Sequence, residues 1–122
     1  MITEKRLEEA LKFISETDEE HAKLSSGLEY LKDKSKRDKA LNIINNDTDN
    51  SISLKEQRFY ASDVYKQHIE EKAALAEKVG TMENKRAKEQ LIIDVWRTLE
   101  ASRRNNKIWY IFLGIIQLWW EL

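Results

Sequence analysis

The side chains of this sequence with chemistry to offer fall in two basic stretches and one aromatic run. Lys32, Lys34, Lys36, Arg37 and Lys39 form the first stretch; Lys85, Arg86, Lys88, Arg97, Arg103 and Arg104 form the second. Cations at this density suit phosphate oxygens, and Trp96 within the second stretch offers a flat face on which a nucleobase can stack. Nucleic acid is therefore one expected partner. A plainer reading stands beside it: Ile92, Ile93, Trp96 and Leu99 share a helical face, so Trp96 is expected to anchor a core. Arg103, Arg104 and Lys107 would likewise complement the negative end of a helix stopping near there.

The aromatic run is residues 108–122, IWYIFLGIIQLWWEL, with three of the four tryptophans. Only Gly114, Gln117 and Glu121 interrupt it, so no helical stripe is expected to hide one side and present another to water. Trp109, Tyr110, Phe112, Trp119 and Trp120 are the expected contacts with a membrane or a protein partner. Trp109/Tyr110 and Trp119/Trp120 bracket the run as interfacial belts do, behind the cations at 103, 104 and 107. Fifteen helical residues nevertheless reach only about 22 Å, short of the roughly 30 Å of a bilayer core. An interfacial, partly inserted or protein-buried helix is expected rather than a full span.

Catalysis finds little to work with. No cysteine is present, which removes thiolate nucleophiles, thiolate metal sites and disulfides. His21 and His68 are the only histidines and neither lies in a ligand motif. The acids around His21 (Glu16, Asp18, Glu19, Glu20) read as helix-capping residues, and His68 as a satisfied packing histidine. Neighbouring carboxylates such as Glu70 and Glu71 point in different directions on a helix, so they make no acid and base pair. Phosphate-loop, dinucleotide and nucleophile-elbow patterns are absent. The expectation is a non-enzymatic protein without cofactor or metal.

The elements that must position these groups are helices. Proline is absent and glycine occurs three times in 122 residues, which favours long uninterrupted helices and an all-α fold. Leu7, Ala10, Leu11 and Ile14 mark a first short helix over about 3–15, with Thr3 as its cap. Thr17 with Glu20 forms a capping box expected to open a second helix over 18–45. The Asn-rich stretch 45–50 is the expected reversal. Ser53 with Glu56 is a further box opening a helix over 54–60, and Ser62 with Asp63 caps a long one over 63–104. The long helices should pair as an extended antiparallel, coiled-coil-like hairpin, giving a helical body at 1–106 and a separate apolar tail at 107–122. Self-association through the helices is a further possibility of such a body. Polar residues at 35–39 and 83–90 make the seam patchy; opposite charges pairing across a solvated midsection is the expected explanation, a binding surface the alternative. An antiparallel hairpin is also expected to set the two basic stretches side by side.

The formal net charge is −1, but it is unevenly spread: residues 1–20 sum to −4, while 21–40 and 81–107 each sum to +3. Only local patches could attract an anionic partner. The N-terminal MITEKRLEEA lacks the basic and apolar regions of a secretory signal, so a cytoplasmic body, with peripheral membrane association through the tail, is expected.

Three stretches carry a resemblance: EKRLEEALKFISETDEEHAKLSSGLEYL, YASDVYKQHIEE and MENKRAKEQLIIDVWRTLEASRR. Most distinctive is Asn84-Lys85-Arg86 followed by Ile92 to Arg97 and the Arg103-Arg104 pair. Over residues 2–104 the chain resembles small α-helical proteins of tailed bacteriophages and prophages. The resemblance implies a phage accessory protein, encoded in an early or DNA-metabolism region; it brings no activity and no site residues. It stops at the paired arginines and leaves the tail outside, as an anchor, an oligomerising segment or an incidental extension. Two functions remain expected: a nucleic-acid-associated binding module, or a membrane-associated or oligomerising scaffold that uses the tail.

Overall fold

The computed structural model describes residues 2–46 and 51–121, which form three helices: α1 (Glu4–Asn45), α2 (Ile52–Tyr60) and α3 (Asp63–Glu121). No strand occurs among the described residues, and the fold is an all-α antiparallel helical hairpin with one short additional helix. Thr3 caps α1 as expected, its Oγ1 accepting from the Arg6 amide at 3.1 Å. Of the expected Asn-rich reversal, Asn45 ends α1 and Asn46 is non-helical, while residues 47–50 lie outside the described residues.

Three of the expected boundaries are corrected. The helices expected at 3–15 and 18–45 are a single helix, and the capping box at Thr17 opens nothing. The reason is phase. Leu7, Ala10, Ile14, Thr17, His21, Leu24, Leu28 and Leu31 alternate three and four residues apart, and every one is buried or half-buried. A stripe that stays in register through Thr17 keeps its packing only if the helix runs straight on, and no glycine or proline intervenes to stop it. The second correction is α3, which does not end near residue 104 but continues to Glu121. No proline interrupts residues 104–121, and the helix runs through Asn105, Asn106 and Gly114 despite their weak propensity.

α2 begins slightly earlier than its expected box. Ser51, not Ser53, is its cap, accepting from the Leu54 amide at 3.4 Å. Ser62 then serves two helices, as its position suggests: its hydroxyl donates to the Phe59 carbonyl at 2.5 Å and accepts from the Tyr65 amide at 3.3 Å. One side chain therefore both closes α2 and opens α3.

Two compact units partition the chain, residues 17–85 in one and residues 1–16 with 86–122 in the other. Within each, a stretch of α1 packs antiparallel on a stretch of α3. On α3 a stripe of buried or half-buried positions runs through Leu75, Val79, Met82, Arg86, Glu89, Ile93, Trp96 and Glu100, again three and four residues apart. The seam is thus regular in spacing, although some of its positions are polar.

In the unit holding residues 17–85, Phe59, Val79 and His68 are buried. Phe59 joins Tyr60 and Tyr65 in a cluster with ring centroids 5.0 to 5.8 Å apart. A Cβ on Gly27 would meet only the end of the Leu75 side chain, Cδ2 at 3.4 Å, an ordinary contact. Gly80 has nothing within 4 Å of that position and no positive φ. Gly80→Ala should therefore stabilise this unit by about 1 kcal/mol through helix propensity, read as a rise in the urea midpoint. Gly27→Ala should gain less, because its methyl must fit beside Leu75.

In the other unit, Ala10 and Ile93 are the buried apolar residues. Two polar seam positions have partners here, but not in residues 35–39 as the charge reading anticipated: Glu89 meets Arg6 and Arg86 meets a backbone carbonyl, while Lys39 lies near Glu56 of α2. Arg6 makes a bidentate bridge to Glu89, Nη1 to Oε2 at 2.7 Å and Nη2 to Oε1 at 2.8 Å. Arg86 Nη1 donates to the Ile14 carbonyl at 2.9 Å. Hydrogen bonding from Arg6 holds the Glu89 carboxyl below the usual carboxylate range, against the opposing effect of burial. A depressed carboxylate contributes stability that is complete above the usual glutamate range and is lost as pH falls through its lowered value. Amide exchange around residues 6–10, corrected for intrinsic rate, should accelerate across that acid window in the native chain. In Glu89→Gln it should already be fast and should not respond to acid there.

Candidate functional site

The first basic stretch lies within the last four turns of α1. Its neighbours are near the start of α3: Lys34 and Asp38 line a narrow cleft with Val64, Gln67, His68 and Glu71. Lys32 pairs with Glu29 at 3.0 Å, and Lys39 lies 3.7 Å from Glu56 and 5.0 Å above the Tyr60 ring centroid. The Tyr60 side chain first, and Glu56 next, hold the Lys39 ammonium above its ordinary pKa despite the opposing effect of burial. Lys34, Lys36 and Arg37 are exposed, with Asp33 and Asp38 interleaved. The stretch is a solvated helix face carrying both signs.

In the second stretch, Arg86 is committed to the Ile14 carbonyl, whereas Lys85, Lys88, Arg97, Arg103 and Arg104 are exposed. Arg103 pairs with Glu100 at 2.9 Å and lies 5.9 Å from the Trp96 ring centroid, a cation–π contact. Trp96 is half-buried between these roles, in line with Ile93 in the seam but with its outer face under Arg103. Trp96, Arg97 and Arg104 also border one hollow of about 320 Å³.

Lys85, which shares a unit with the first stretch, does not face it: Lys85 borders a hollow with Glu20 and Leu24, while Lys34 borders one with Val64 to Glu71. An antiparallel register is counted from the turn, and Lys34 lies only about three helical turns before the end of α1. Its partners must then lie close to the start of α3, which is where Val64 to Glu71 are found. Residues 86–104 belong to the other unit, where their α1 neighbours include Arg6 and Ile14.

The histidines differ from expectation in detail. His21 sits in the α1 seam with Nε2 3.5 Å from Glu83 Oε1, an acid from α3 rather than the capping acids beside it in sequence. His68 is buried and stacks with Tyr65, but among the described residues its Nε2 has no hydrogen-bond partner, so it packs without being satisfied. No three His, Asp or Glu side chains among the described residues converge as metal ligands.

The largest unpartnered feature is the end of α3. Each large apolar side chain from Ile108 to Trp120 is exposed, Trp119 to 80% and Trp120 to 89%. These are values for side chains standing in water. Trp109 and Phe112 stack with centroids 6.1 Å apart, the one ring contact in this segment among the described residues. No helix of the described residues is long and apolar enough to cross a membrane. No family model, curated protein or solved structure matches the chain.

Proposed function

We propose that this protein is a non-enzymatic helical accessory adaptor, of the phage or prophage kind that its closing motif resembles, which attaches to an apolar surface through residues 108–121. One observation supports this reading above others: a helix continuous with the body carries a run of exposed large apolar residues from Ile108 to Trp120. Contiguous apolar surface on that scale marks a contact with membrane or protein. The body then serves to present or receive a second component. The test compares the full chain with one ending at Asn106, by membrane fractionation and by solution mass. Loss of both membrane recovery and self-association on truncation is expected; identical behaviour of the two forms rejects attachment through this segment.

A nucleic-acid reading keeps one supporting observation, the hollow bordered by Trp96, Arg97 and Arg104, with Glu100 on its wall paired to Arg103. A stacked base with two cations at its phosphates is the arrangement such a hollow would favour. With the chain ending at Asn106, single-stranded DNA should bind with a salt-dependent affinity whose slope falls by about one unit for Arg104→Gln. Absence of binding at low salt removes the reading.

A further inference from the structure

We infer that residues 108–121 lie in the plane of an anionic bilayer interface, with one narrow stripe toward water and the rest of the helix in the lipid. This rests on the attachment reading above and specifies its surface. Because α3 is continuous, its phase in the tail is fixed by the body. The body seam, Ile93, Trp96 and Glu100, continues at the same three-and-four spacing as Arg103, Lys107, Tyr110, Gly114, Gln117 and Glu121. All three interruptions of the apolar run therefore fall on one stripe with Tyr110. At about 100° per residue these four tail positions span only about 60° of the helix circumference. Opposite them run Ile108, Phe112, Ile115 and Trp119, with Trp109 and Trp120 on the border of that face.

On a straight helix a three-and-four stripe drifts by about 20° per heptad, which leaves the polar stripe of the tail about 60° from the line of Ile93, Trp96 and Glu100. The tail therefore carries its polar and small residues nearer the side that the body turns toward α1 than the opposite one, so lengthening the hairpin seam would leave most of its large apolar residues uncovered. A single partner helix would also cover too little, since a coiled-coil seam buries two positions in seven and the tail is apolar nearly all round. Lipid surrounds a helix, and a helix satisfies its own backbone there. Residues 108–121 rise only about 21 Å, and no helix of the described residues is long and apolar enough to cross a membrane, so the in-plane arrangement is the one these residues favour. The charges complete the argument: Arg104 and Lys107 stand exposed immediately before the apolar segment, where anionic headgroups would meet them.

The test uses full-length chains in which all tryptophans but one are phenylalanine. The retained reporter is Trp109, Trp119 or a tryptophan introduced by Gln117→Trp, with vesicles of phosphatidylserine and phosphatidylcholine carrying brominated acyl chains. Trp109 and Trp119 should be quenched to similar shallow depth, while the reporter at 117 stays unquenched with water-like emission. Arg104→Gln and Lys107→Gln should each weaken partition about fivefold on anionic vesicles and leave neutral ones nearly unchanged. Depth that increases steadily along the segment, with position 117 quenched equally, overturns the in-plane arrangement. Absence of vesicle binding together with a discrete oligomer that truncation dissolves overturns the lipid partner while the attachment reading stands. If truncation alters neither property, both fall.

Discussion

Phe59→Ala is expected to destabilise the unit formed by residues 17–85 by about 3–5 kcal/mol, the usual cost of emptying a buried aromatic site. Phe59 is 3% exposed and is the largest buried side chain among the described residues. It is also the buried residue of α2, whose nine residues are too few to persist as an isolated helix. Its ring touches Tyr60 and Tyr65, so its removal withdraws support from both sides of the corner between α2 and α3. The backbone link through Ser62 survives the substitution but cannot hold α2 unaided. A urea titration followed by near-ultraviolet circular dichroism of the tyrosines should show the midpoint falling steeply. Tyr60→Phe, which keeps the ring and loses only a hydroxyl beside Lys39, should shift it much less. A loss below about 1 kcal/mol for Phe59→Ala, less than a typical core truncation, would show that α2 is held by other contacts.

Local signals were legible in proportion to how little they depended on register. Thr3 and Ser62 cap where a short polar residue precedes an apolar period, because a cap needs only its own helix. Thr17 carried the same signal and meant nothing. Its stripe neighbours Ile14 and His21 already hold it in the seam, and tertiary packing overrides a local option to end the helix. The same limit applies to the polar midsection. That Glu89 pairs with Arg6, 83 residues earlier, follows from the register of α1 on α3, and nothing within either segment fixes that register.

The basic stretches illustrate the cost of guessing register from topology alone. Antiparallel pairing is compatible with many alignments, and Lys34 beside His68 differs from Lys34 beside Lys85 by several helical turns. The tail was legible in composition and obscure in arrangement. As a bare string its interruptions at 114, 117 and 121 look scattered; on a helix whose phase is inherited from Ile93 and Trp96 they fall in line with Tyr110. The needed signal was present in the sequence, but only the continuity of α3 through residues 104–108 connects it to the body.

That sidedness gives the second large effect. Phe112→Lys should reduce partition onto anionic vesicles by at least about a hundredfold, whereas Gln117→Lys should leave it unchanged or raise it by up to about fivefold. Phe112 lies opposite the polar stripe, so a lysine there loses the phenylalanine's transfer energy and must either desolvate its ammonium or pull the helix out of the acyl region. At position 117 the new charge points to water and to headgroup phosphates, where it adds to the attraction of Arg104 and Lys107. Both variants insert the same cation into the same exposed segment, so net charge and general solubility cancel in the comparison. Sedimentation with sucrose-loaded vesicles measures the two partitions directly. Equal losses at 112 and 117 would mean that the segment is enclosed on every side, because a helix lying in the interface plane keeps one of these two faces in water.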